Sequence, residues 1–351
     1  MATITPRERV KAFFKREPID EMPCFSGMGA VTVQAIEKMG IRFAQVHGSA
    51  EYLAGSAIAT AEMFGFDGVV VPYDMCTVPE ALGRGASLYE DADGILYPTV
   101  PSKWATIDDV DMPEDVSVVF GQGRMPVVDE AIRIVKAHEG SKLALGGWVL
   151  GPFTMAGQLI ELDVLLKGLR KDKERVEAFL SKMTDLVIAV AQHYQELGVD
   201  YMNIREMGSG TDLISPRMWK TLIKPNLEKV FSALESPKIN HICGSTDLII
   251  EMMNDCGADA VSVDQKNNVI ESRKKLGNDA MILGNFDPYG TLTQIDASEV
   301  GGVIKKCIDD GVDAVWPGCD LWPDVKGENM EAYIQAVREY GKTATPAVGR
   351  V

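Results

Sequence analysis

Positive charge is scarce in this chain: 35 Lys and Arg stand against 51 Asp and Glu over 351 residues, a net charge of −16. That balance argues against a nucleic-acid partner, because phosphate backbones are held by clusters of Lys and Arg. It argues equally against an anionic membrane surface or a broad basic bowl for a polyanion. Histidine is scarcer still, with four in the whole chain. Long apolar runs are missing too; none approaches the ~20 residues that span a bilayer, which excludes a membrane protein. The first residues lack the apolar core and cleavage site of a secretory signal and read instead as a capped helix start, Thr5 before Pro6. Six cysteines without paired spacing do not make a disulfide framework, so reducing, cytoplasmic surroundings are expected. No Gly-x-Gly-x-x-Gly follows the early strands and no Walker loop occurs, which leaves a nucleotide site without support. What remains, 46 % apolar and 25 % charged residues, is an ordinary globular composition and not a disordered or fibrous one.

Short apolar runs recur at nearly constant spacing: Met22–Phe25, Gly68–Val71, Leu143–Trp148, Val199–Ile204, Ile239–Ile242, Ala258–Val263, Met281–Gly284 and Val312–Trp316. Each is apolar on both faces, as strands covered on both sides must be. Amphipathic helical segments lie between them, among them Val176–Gly198, Trp219–Leu234, Thr246–Cys256 and Ala297–Asp310. A weak internal repeat places a Gly helix stop just before a strand, at Gly65-Phe-Asp, Gly198-Val-Asp, Gly257-Ala-Asp and Gly311-Val-Asp. The expectation is an α/β chain forming one domain over 1–351, a (β/α)8 TIM barrel. It carries an N-terminal helical extension and an insertion between strands 2 and 3, at about residues 77–141. A doubly wound open sheet is the competing arrangement.

In a barrel, catalytic groups collect where strands run into the following loops. Asn240-His241-Ile242-Cys243-Gly244 ends the fifth expected strand, and Trp316-Pro317-Gly318-Cys319-Asp320 ends the eighth. One imidazole and two thiolates at a single rim make a plausible zinc set, and three protein ligands leave a catalytic open position. The competing reading makes both cysteines small buried hydrophobes and satisfies His241 with a carbonyl. Cys24, Cys76, Cys256 and Cys307 read as packing residues, and His47, His138 and His193 as surface or structural. Arg205-Glu206 ends the fourth strand, Asp264 the sixth and Asn285 the seventh; Glu206, Asp264 and Asn285 are candidates for orienting substrate. Trp148, Phe153, Tyr289, Trp316 and Trp322 fall near strand ends, where rings suit a flat aromatic substrate. The alternative for any one ring is that it caps the barrel.

These motifs carry a family resemblance. Pro6-Arg-Glu-Arg-Val, Val71-Pro-Tyr-Asp with Glu80-Ala-Leu-Gly83, Gly151-Pro-Phe-Thr154, His241-Ile-Cys-Gly244, Gly284-Asn-Phe-Asp-Pro288 and Pro317-Gly-Cys319 resemble the uroporphyrinogen decarboxylase superfamily. More narrowly, they resemble its corrinoid-linked methyltransferase branch, typified by methylcobamide:coenzyme M methyltransferases. The resemblance implies zinc on His241, Cys243 and Cys319, and methyl transfer between a small methylated compound and a corrinoid cobalt. The Asp-x-His-x-x-Gly segment that ligates cobalt in many corrinoid proteins is absent, so a separate corrinoid protein is the expected partner. The leading expectation is O-demethylation of a methoxylated aromatic; the alternative is methyl transfer from methylcobamide to a thiol, of the coenzyme M type. A decarboxylase reading fits less well, because Phe25-Ser-Gly-Met-Gly-Ala30 lacks the Arg those enzymes carry there. A non-catalytic barrel that docks a corrinoid protein is a further alternative. A homo-oligomer is compatible with all of these.

Overall fold

The computed structural model describes residues 4–138 and 142–342. Seven strands form one parallel sheet: β1 Gly68–Val71, β2 Ala144–Leu150, β3 Tyr201–Arg205, β4 Lys238–Ile242, β5 Ala260–Val263, β6 Ile282–Phe286 and β7 Ala314–Pro317. They pair in sequence order from β1 to β7. Every pairing is parallel. A doubly wound sheet would reverse its order at a switch point, and this one does not. The sheet is curled but open, a half-barrel with helices between its strands.

The first expected strand, Met22–Phe25, does not form, and the closed eight-stranded barrel is corrected to this open sheet. The reason lies in the repeat. In three of its copies the Asp after the Gly stop makes a two-bond clamp to the strand before. Asp200 N–H donates to the Leu145 carbonyl and its carboxylate accepts from Leu145 N–H; Asp259 does the same with Lys238, and Asp313 with Ile282. Asp67 makes the same clamp to Cys24, at 2.7 Å and 2.6 Å, so residues 22–25 occupy a strand's place beside β1. No ladder follows. Pro23 has no N–H to give, and beyond Phe25 the backbone turns inward, away from both sheet edges. There Tyr201, Asn203 and Arg205, alternate residues on one face of β3, donate to the carbonyls of Ser26 and Gly27. Phe25 packs edge-on against Trp316 of β7, with ring centroids 5.1 Å apart. Side chains thus fill the gap that a ladder would have closed.

The Gly stops behave as the repeat implies. Gly65, Gly198 and Gly311 cap the helices Ala50–Phe64, Lys173–Leu197 and Ala297–Asp310 in the left-handed conformation that only Gly adopts freely. The expected insertion is narrower than 77–141, because Met125–Ala137 is the ordinary helix connecting β1 to β2. The irregular stretch lies before it, with short helical turns at Ile107–Asp109 and Val116–Gly121. Ser141, the expected end, lies outside the described residues. No described helix is long and apolar enough to cross a membrane.

Asp67 is buried and also holds the buried Arg9 guanidinium at 2.5 Å, whereas Asp259 is exposed. Asp67→Ala would leave the Cys24 N–H and the Nη1 of Arg9 without their partner in the interior, while Asp20 keeps the rest of the guanidinium, and the expected loss of stability is about 2–4 kcal/mol. Asp259→Ala removes an exposed clamp and is expected to cost about 1 kcal/mol. Urea unfolding of the two variants checks this; equal losses would contradict the account.

Candidate active site

Because every strand is parallel, the C-terminal ends of β4 and β7 open on the same face, and they bring three soft or borderline donors together. His241 is the fourth residue of β4, Cys243 follows the strand, and Cys319 lies two residues beyond β7. His241 Nε2 is 3.0 Å from Cys243 Sγ, and Cys243 Sγ is 3.3 Å from Cys319 Sγ. The other imidazole nitrogen, Nδ1, lies 2.9 Å from Ser262 Oγ, on the β5 residue paired in register with His241. That bond fixes the ring and aims Nε2 at the thiols. Burial, reinforced by the positive charge of Arg205, holds His241 well below the usual histidine range, so the imidazole is neutral. Across the thiol pair, the hydrogen bond from Cys243 helps Cys319 ionise, while the same bond and burial hold the Cys243 proton.

The donors are drawn closer than a bound ion would set them. Around tetrahedral zinc, bonds of about 2.3 Å to sulfur and 2.0–2.1 Å to nitrogen put donors roughly 3.5–3.8 Å apart. Among the described residues no group of three His, Cys, Asp or Glu is already spread as a metal shell. This triad would have to open by about half an ångström to become one.

Arg205, at the end of β3, organises the floor beside the donors. It is 1 % exposed and lies over the Trp148 ring at 3.8 Å. Its Nη1 reaches Asp320 at 3.0 Å, and Nε reaches the Gly27 carbonyl at 3.2 Å. Asp320 in turn accepts from Gly29 N–H at 3.3 Å. Gly29 admits the Tyr73 ring, since a Cβ there would sit 2.3 Å from it. Tyr73 lies with Phe43, His47 and Tyr97 in a ring cluster that reaches Trp322. Beneath it, Asp74 is buried between His47 and a two-pronged contact from Arg124. Burial alone would raise the Asp74 carboxyl, but these bonds more than offset it and hold it well below the usual range.

The other expected site residues fall into two groups. Trp148 and Trp316 point into the half-barrel and are buried, Trp148 giving its indole N–H to the Pro72 carbonyl. Phe153 is buried in the helix Pro152–Leu159. Glu206 turns away from the donors and accepts from the N–H groups of Phe153 and Thr154 at that helix's first turn. Asp264 accepts from Lys266 N–H, and Asn285 donates to the carbonyls of Asp264 and Asn267. Only Tyr289 and Trp322 present exposed rings. The chain pattern carried no sign of Ser262 as the partner of His241, since cross-strand register decides it. Nor did it separate Arg205 from its neighbour Glu206 as the residue beside the donors.

Comparison with known proteins places this geometry. The uroporphyrinogen decarboxylase (URO-D) family model matches residues 5–340, and the chain belongs to that family. The methylcobamide:CoM methyltransferase MtaA of Methanosarcina barkeri is 28 % identical over 346 residues, covering 97 % of this chain and 99 % of that protein. The uroporphyrinogen decarboxylase of Legionella pneumophila is 24 % identical over 344 residues, covering 93 % and 94 %. Among solved structures, a methyltransferase from Methanosarcina mazei superposes with a TM-score of 0.89 at 28 % identity, covering 96 % of this chain and 99 % of that one.

Burial pushes the Glu206 carboxyl up to about 7 from an ordinary 4.5, against the pull of its bonds from Thr154 and Phe153. Between those values the folded chain keeps a proton that the unfolded chain has lost. Stability therefore falls as pH rises through this window, by on the order of 3 kcal/mol from this group. Glu206→Gln is expected to remove that slope, so the stability difference between variant and wild type should change between pH 4.5 and 7.5. A pH-independent difference would contradict the assignment.

Proposed function

We propose that this enzyme transfers a methyl group from the cobalt of a corrinoid, carried by a separate protein, to the sulfur of a small thiol. We propose further that His241, Cys243 and Cys319 hold a zinc ion for that purpose. The observation that carries the reading is the convergence of two thiols and a neutral, oriented imidazole at one strand-end rim. A chain aligned almost end to end with a methylcobamide:CoM methyltransferase supports it. The donor chemistry fits zinc: two soft sulfurs and an imidazole already free of its second proton. His241, Cys243 and Cys319 would be its protein ligands, and the neighbouring carboxylates of Asp264 and Asp320 accept instead from the Lys266 N–H and from Arg205. Zinc bound there supplies a formally neutral Lewis acid that keeps a thiol ionised near neutral pH. Ser262 holds the imidazole in its productive tautomer, and Arg205 anchors the floor against which the acceptor rests. In the overall reaction the thiol gives up its proton, the carbon–sulfur bond forms, and the cobalt–carbon pair stays on cobalt.

The methoxyaromatic reading has less behind it. Three of the five rings expected to line its pocket, Trp148, Phe153 and Trp316, are buried in other contacts. The methylcobamide:CoM methyltransferase above names a thiol, and no aryl ether, as its substrate.

The partner reading rests on the histidines and on the mouth. All four histidines are engaged within the chain, His47 by Asp74, His138 by Glu62, His193 by Asp129 and His241 by Ser262 and Cys243. None lies in the Asp-x-His-x-x-Gly segment that ligates cobalt in many corrinoid proteins, so the corrinoid arrives on another molecule and must cross the mouth face. That face alone is apolar at its rim. Met75, Leu213, Leu248, Ile270, Tyr289 and Trp322 all follow strand C-termini and are exposed, whereas the described turns leading into the strands expose no large hydrophobic residue. We read this one-sided exposure as the face on which the corrinoid protein docks.

With methylcobalamin and 2-mercaptoethanol, the purified chain is expected to consume the methyl–cobalt absorption band and to contain about one zinc per chain. Cys319→Ala should abolish turnover without unfolding, and Ser262→Ala should weaken zinc in chelator competition by about 10–100-fold. Full activity in Cys319→Ala, or methyl–cobalt formed only from methoxyaromatics, would overturn the reading. Leu213→Glu and Leu248→Glu, which replace side chains 57 % and 70 % exposed, should leave turnover of free methylcobalamin intact. Turnover of protein-bound corrinoid should fall by roughly tenfold or more. Equal effects on both would remove this face as the docking surface.

A further inference from the structure

We infer that Cys243 and Cys319 are a modification site: a small disulfide oxidises the pair to a Cys243–Cys319 bond, and that bond competes with zinc for the same two sulfurs. The bond itself is argued from contact and access; the competition rests on the zinc reading above and gives that site a regulator. The two sulfurs lie 3.3 Å apart. A disulfide needs about 2.05 Å, so they must close by roughly 1.2 Å, whereas zinc needs them about half an ångström farther apart. The pair sits between two bonded arrangements and can serve only one, because a sulfur in a disulfide has no thiolate left to give a metal. Neither move breaks the sheet. Cys243 follows β4 and Cys319 lies beyond β7, both past the last ladder residues, Ile242 and Pro317.

Elsewhere the cysteines are closed to a reagent. Cys24, Cys76, Cys256 and Cys307 are buried, and burial pushes each of those thiols up, so none meets an oxidant as an accessible thiolate. Cys243 and Cys319 are only half-buried, and both stand at the mouth. The reaction there balances without a further reactant. One thiol of the pair, deprotonated, attacks a sulfur of the small disulfide and expels one small thiol; the second thiol then attacks the mixed disulfide and expels the other. The protein pair gives up two electrons and two protons, and the two released thiols carry both. A disulfide at an accessible rim is equally open to reduction by the same small thiols. On the thiol reading the oxidised form of the acceptor is such a disulfide, so an oxidised acceptor pool stops methyl transfer and a reduced one restores it.

Hydroxyethyl disulfide, the oxidised form of 2-mercaptoethanol, is the probe. The chain stripped of metal by a chelator is expected to lose two of its six thiols to it, and peptide mapping without reductant should join residues 243 and 319. Excess 2-mercaptoethanol should return both thiols. Cys243→Ser and Cys319→Ser should each stop at a mixed disulfide, seen in the intact mass as one bound mercaptoethanol. Free zinc at roughly ten times its dissociation constant should slow the cross-link about tenfold, and the cross-linked chain should bind no zinc on metal analysis. A metal-free wild type that stops at mixed disulfides, or loses other thiols first, overturns the inference and leaves the zinc reading standing. A cross-link that forms as fast with zinc bound overturns the competition. A reduced chain that binds no zinc overturns the competition and the zinc reading together.

Discussion

A guanidinium taken out of water must have its donors filled and its charge answered, or it does not stay buried. Arg205 meets that demand with partners from three separate parts of the chain: the Gly27 carbonyl, the Asp320 carboxylate and the Trp148 face. Meeting it draws the residue 25–29 segment into the half-barrel, orients the loop after β7, and presses β2 against β3 at their ends. The same charge helps keep His241 neutral. One buried cation therefore sets the floor of the mouth and adds to the effect of burial on the donor beside it.

Closure of the sheet obeys a second constraint, the pairing of each Gly-x-Asp turn with the strand before it. In the interior of the sheet the clamp merely starts a ladder that the strands then continue. At the edge it acts alone. Asp67 holds Cys24 in a strand's position, but Pro23 and the inward turn at Ser26 deny the neighbouring edges any further bonds. The opening is what lets residues 25–28 enter the interior and offer carbonyls to Tyr201, Asn203 and Arg205. A continuous eighth strand would keep its carbonyls in the ladder and leave Arg205 unsatisfied.

These constraints also explain how much could be read from the chain. Seven of the eight short apolar runs are strands, because burial on both faces leaves a dense signature that periodicity detects. The eighth has the same composition and even the same clamp, and fails for reasons of backbone chemistry a few residues away. At the site, His241 and Cys243 were legible from strand alternation and Cys319 from its place at another strand's end, and the structure brings the three within contact. Direction of side chains was not legible. Glu206 and Arg205 are neighbours in sequence, yet alternation sends one to a helix N-terminus and the other to the donors. The aromatic residues were harder still, since Trp316 in the interior and Trp322 at the surface lie only six residues apart and have equal hydrophobic credentials.

Relatives named as decarboxylases and as methyltransferases both align with nearly the whole of this chain. The scaffold cannot therefore be what separates their chemistries. Most of the interior is spent on the scaffold: Tyr201 and Asn203 hold backbone, Trp148 supports Arg205, and Asn285 ties two loops together. What remains to distinguish one reaction from another is a small set of strand-end side chains, and His241, Cys243 and Cys319 are the ones we propose. Cys319 adjoins Asp320 in sequence, so a proposed donor and the carboxylate that holds Arg205 are placed by the same turn after β7. Moving that turn would disturb the donors and the floor of the mouth together.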